Sequence, residues 1–211
     1  MNEMIKDLEE ALEENIVKLF EAFYKNPAIF LSEADVQCYL YGLLINDERI
    51  KKFSPLIKKG DKLGKDELNK DSMTLLVHAE KPRGTVFPKY DIAFWCFENT
   101  NFKSLKPVIG IEIKFNKGPY KANRNTSPVK SDLDKLIKDE KLKRKYLLWL
   151  NWGRRMNDQG REYVDKIEEE ANENVRFYYL DISSGKPETN LSKLQNYWSH
   201  KIEKLHHKHS S

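Results

Sequence analysis

The heptapeptide IGIEIKF, Ile109 to Phe115, limits the possible folds more than any other stretch of the chain. Side chains alternate across a strand, so Ile109, Ile111, Ile113 and Phe115 share one face while Gly110, Glu112, Lys114 and Asn116 share the other. The first face packs. The second carries an acid and a base, and must either meet water or serve polar chemistry.

Two β-like runs precede it, MTLLVHAE (Met73 to Glu80) and KYDIAFWCF (Lys89 to Phe97), and the third is PVIGIEIKF (Pro107 to Phe115). All are rich in β-branched and aromatic residues, and their spacing permits a meander. Downstream, SPVKSDLDKLIKDEKLKRK opens with a cap and a proline in its first turn, with Val129, Leu133, Leu136, Ile137 and Leu142 as a helical stripe. The strand candidate YLLWLNW follows, then a helix near Asp158 to Asn172, then the strand candidate VRFYYLDI. Strands joined by helices imply parallel crossovers on one sheet.

Upstream, Asn2 to about Tyr24 places Ile5, Leu8, Leu12, Ile16, Leu19, Phe20 and Phe23 at helical spacing. A second helix, LSEADVQCYLYGLL, is capped by Ser32, with Val36, Tyr39, Leu40, Leu43 and Leu44 as its stripe. The lysine-rich stretch Asn46 to Asp71 reads as a loop, and Lys193 to Leu205 as a weak helix. The element order ααβββαβαβ predicts a three-layer α/β domain with a mixed central sheet and N-terminal helices. The 211 residues suit one domain: helices over 1–46, a core over 73–181, and a C-terminal helix with a polar tail over 182–211.

Composition excludes two classes. With 39% hydrophobic and 11% aromatic residues the chain is not disordered. No apolar run approaches the roughly 18 residues a bilayer requires, and the acidic start MNEMIKDLEEALEEN is unlike a signal peptide, which predicts a cytoplasmic protein with no membrane partner. Cys38 and Cys96 lack metal-ligand spacing and read as reduced, packed thiols. Residues 1–50 hold four Lys/Arg against eleven Asp/Glu, leaving 33 against 22 in the remainder, a basic surplus that permits a polyanionic partner.

Asp91 stands at the head of the run before Glu112, so an antiparallel pairing of the two strands brings their carboxylates together beside Lys114. Adjacent buried carboxylates need a cation, and an all-oxygen donor set suits Mg²⁺, or Mn²⁺ in its place. A lysine alongside can orient a water or stabilise charge on a phosphoryl group. PKYD (Pro88 to Asp91), followed after twenty residues by EIK (Glu112 to Lys114), resembles the PD-(D/E)xK nuclease superfamily across about Ser32 to Asp181. The resemblance implies a restriction-endonuclease-like core, metal at Asp91 and Glu112, and Lys114 assisting the attacking water. It also implies an acid from the preceding helix, which Glu33 in SEADVQCYL supplies.

Glu80 is a possible accessory acid, while Asp132 and Asp134 read as helix N-terminal residues, with Ser131 and Asp134 as a capping box. Lys89, Lys117, Lys121, Arg124, Lys130 and Lys135 are candidates for contacting phosphates. His206, His207 and His209 belong to the tail and are set aside. The resulting expectation is a Mg²⁺-dependent DNA endonuclease of restriction or defence type, acting as a possible homodimer. The alternative is a catalytically silent nucleic-acid-binding or interaction domain on the same fold.

Overall fold

The computed structural model describes residues 2–52, 76–79, 89–97, 105–116, 128–152, 158–184 and 187–192. Helix α1 (Asn2–Lys25) has the stripe its spacing predicts, and all seven of those apolar residues are buried. A 3-10 turn, Pro27–Ile29, separates it from α2 (Glu33–Asn46). Ser32 opens α2 in a reciprocal cap: its hydroxyl accepts from the Asp35 N–H while the Asp35 carboxylate accepts from the Ser32 N–H. Val36, Leu40 and Leu44 are buried, but Tyr39 is exposed and lies off the stripe assigned to it. A short helix, α3 (Glu48–Lys51), occupies the start of the predicted loop because Asp47 caps it through the Arg49 N–H.

The strands are β1 (Leu76–Ala79), β2 (Ile92–Phe97), β3 (Leu105–Asn116), β4 (Arg144–Asn151), β5 (Arg176–Asp181) and β6 (Glu188–Thr189). They lie in the sheet in sequence order. β1, β2 and β3 form the antiparallel meander, and β3, β4 and β5 run parallel through α4 (Pro128–Lys138) and α5 (Asp158–Ala171). The two-residue β6 adds an antiparallel edge that no periodicity announced. The β2–β3 register shifts between Phe94 and Trp95, opposite Pro107, which has no N–H to give the ladder.

Alternation along the strands divides the interior in two. Ile109, Ile111 and Ile113 join Phe94, Leu148 and Leu180 beneath α1 and α2, while Ala93, Trp95, Leu147, Trp149 and Phe177 pack under α4 and α5. The result is a three-layer α/β fold. Glu9 of α1, buried, meets Arg144 of β4 and Arg176 of β5, fastening the first helix to two parallel strands.

Helix α4 ends at Lys138, well short of its predicted end. The Asp139 carboxylate accepts from the Lys141 N–H at 2.9 Å and from the Tyr90 hydroxyl, turning the chain, so Leu142 packs from beyond the helix. Asn172, with φ 41°, follows α5 in the left-handed conformation that asparagine tolerates. Cys38 is exposed, contrary to the packed thiol expected there. Among the described residues no helix is long and apolar enough to cross a membrane. Residues 193–205, and the tail with His206, His207 and His209, lie outside the described residues.

Candidate active site

β2 and β3 place Asp91 and Glu112 together through their register. Ile92 pairs with Ile111, so one step further sets Asp91 beside Glu112. The Asp91 carboxylate accepts from the Ile113 N–H at 2.7 Å, and Gln37 of α2 donates to the Asp91 carbonyl. Side chain and backbone of Asp91 are thus both fixed by neighbouring elements.

Glu112 is 2% exposed. Burial, then repulsion from Asp91, push its carboxyl up from 4.5 to about 8 against the pull of Lys135. The Asp91 carboxyl is raised too, mainly by burial, with the Ile113 N–H and Lys114 opposing the rise. Burial raises both acids, Asp91 adds to the rise at Glu112 and Asp132 to that at Asp91, so negative charge is costly here unless a cation answers it.

Lysines from two elements answer them. Lys114 reaches Asp132 of α4 at 2.8 Å and Glu33 of α2 at 3.2 Å. Burial works against its charge, but Asp132 and Glu33 overcome it and hold the ammonium firmly protonated. Lys135 meets Glu112, donates to the Lys89 carbonyl at 2.6 Å, and stands 5.4 Å from the centre of the Tyr90 ring. Tyr90 lies over Gly110, where a Cβ would come within 3.2 Å of its ring. Glu112 Oε1 and Asp132 Oδ2 are both buried, and each meets a lysine ammonium.

The structure brings Asp91, Glu112 and Lys114 together, and Glu33 arrives through Lys114. Among the described residues no three His, Cys, Asp or Glu side chains gather as a metal-binding group, so the predicted association of Glu33 with Asp91 and Glu112 as three ligands is not formed. Asp132 corrects a second expectation. Because α4 begins at Pro128, Ser131 is already inside the helix; Asp134 pairs with Lys130 at 2.8 Å, and Asp132 turns to Lys114. Asp132 and Lys135 stand three residues apart on one helix face, a spacing visible in SDLDK once the helix start is placed correctly.

The other cationic candidates separate. Lys130 is held by Asp134 and by Glu170 of α5, while Lys89 is exposed and lends its carbonyl to Lys135. Glu80, Lys117, Lys121 and Arg124 lie outside the described residues.

Fold and site together define a three-layer α/β protein with a carboxylate–lysine cluster at one end of its central strands. No family model matches the chain, and no curated protein matches it. Among solved structures it is similar to SfsA of Pyrococcus furiosus in complex with Ca²⁺, at 15% identity and a TM-score of 0.34, over 74% of this chain and 62% of that one. The matched region thus spans less than two thirds of that protein's length.

Proposed function

We propose that the protein hydrolyses phosphodiester bonds in nucleic acid, DNA foremost, with Mg²⁺ or Mn²⁺ held by Asp91 and Glu112. The observation that carries this reading is the buried acid pair of Asp91 and Glu112, with Glu112 raised to about 8 by burial and by Asp91. An all-oxygen set of two carboxylates fits Mg²⁺, which completes its shell with water and substrate phosphate. The ion would supply Lewis acidity and a water of lowered pKa.

This chain's own groups do the rest. The Ile113 N–H keeps Asp91 in place, while Asp132 and Glu33 hold Lys114 charged and directed. From that position the Lys114 ammonium orients the attacking water and steadies charge gathering on the phosphoryl oxygens. The PD-(D/E)xK pattern supports the same roles and favours a restriction or defence endonuclease of the cytoplasm, with two copies cutting two strands.

Purified protein incubated with plasmid, linear duplex and single strands, in Mg²⁺ or in EDTA, tests the proposal. Cleavage should need Mg²⁺ and vanish in Glu112→Gln and Lys114→Ala. Binding without cleavage under every condition would favour the silent nucleic-acid-binding domain instead, a reading that the internal pairing of Glu112 with Lys135 supports.

A further inference from the structure

The two lysines of the cluster are held differently. Lys114 has two carboxylate partners on two helices, and its side chain is 17% exposed. Lys135 has one carboxylate and one backbone carbonyl, and its side chain is 31% exposed. It also lines a cleft of about 480 Å³ together with Lys138, Asp139, Glu140 and Lys141 at the end of α4, three lysines and two acids in all. Lys135 thus stands on the boundary between a buried acid and an open, lysine-rich cleft, on a tether of four methylenes.

We infer that Lys135 is the displaceable counterion of the acid pair: without metal its ammonium lies against the Glu112 carboxyl, and a divalent cation bound there would displace it into the cleft. This rests on the metal-dependent reading above. Buried as it is, Glu112 can carry a charge only with a cation against it, and Lys135 is the group that touches it. The cleft gives the freed ammonium a place beside Lys138 and Lys141, where it would offset the charge of Asp139 and Glu140 and leave more positive charge for an anionic backbone. Lys135 is accordingly a positioning residue that couples metal loading to substrate capture.

Calorimetric titration of Mn²⁺ into metal-free protein tests this without reference to turnover. Lys135→Met removes the competing cation and should tighten Mn²⁺ binding about tenfold or more. Lys138→Met removes the same charge from the same cleft without touching an acid, and should change affinity less than about twofold. Lys135→Gln repeats the test should the methionine variant fail to fold, and Lys135→Arg should bind as wild type does. In wild type, amine-reactive labelling of Lys135 read by mass spectrometry should rise when Mg²⁺ is added. Equal affinities in wild type and both Lys135 variants, or equal tightening in Lys138→Met, overturn the inference alone. No Mn²⁺ bound by any variant overturns the metal reading and the inference with it.

Discussion

At the residue scale the cluster turns on Glu112. Its folded pKa, about 8, lies above the ordinary 4.5, so between those values the unfolded chain releases a proton that the folded protein keeps. Stability of the metal-free protein should therefore fall as pH rises from about 5 to about 8, and Glu112→Gln should flatten that slope. Denaturant titrations in EDTA across that range measure it; a wild-type slope unchanged by the substitution would show that Glu112 does not carry the burial cost. Asp132 supports a separate prediction. It touches Lys114 and stands outside the recognisable motif, so Asp132→Asn should lower cleavage ~10- to 100-fold, as loss of an orienting partner does, with the circular dichroism spectrum retained. Asp91, Glu112 and Lys114 were legible because charges stand out in an apolar strand. Asp132 was not, because an acid near a helix start already has an ordinary explanation in the helix dipole.

At the element scale β3 acts as the ruler of the molecule. Its alternation assigned both faces correctly, and the meander and the parallel crossovers followed from how strands and helices alternate along the chain. Helix ends were less legible. The stop of α4 depends on Asp139 bonding the Tyr90 hydroxyl from 49 residues away, a tertiary contact that no local pattern encodes. Gly110 belongs to the same junction: an added Cβ would come within 2.6 Å of the buried Leu142 side chain and 3.2 Å of Tyr90. Gly110→Ala should cost about 1–3 kcal/mol in denaturant unfolding, since a packed junction must shift to admit a methyl group. An unchanged midpoint would mean that Leu142 swings aside freely.

At the scale of the whole molecule, the tie that fastens α1 and the charge cluster draw on different strand positions, although α2 sends Glu33 and Gln37 to the cluster. Glu9 ties α1 to Arg144 and Arg176 on the layer face away from α4. Removing it leaves the partly exposed Arg144 without its carboxylate while Arg176 keeps Glu13, so Glu9→Ala should destabilise the protein by about 1–2 kcal/mol while any cleavage below the melting transition stays as in wild type. Loss of cleavage in a folded Glu9→Ala protein would show that α1 shapes the site. The short β6 edge escaped sequence reading because two residues carry no periodicity, whereas the three-layer arrangement was legible from the order of longer elements. Because α4 lies between β3 and β4 in the chain, four of the six charges, Glu112, Lys114, Asp132 and Lys135, fall within one βαβ stretch, while Asp91 and Glu33 come from elsewhere. That stretch is close to a transplantable cassette: a foreign sheet offering one aspartate on the adjoining antiparallel strand would inherit most of the charged cluster in a single graft.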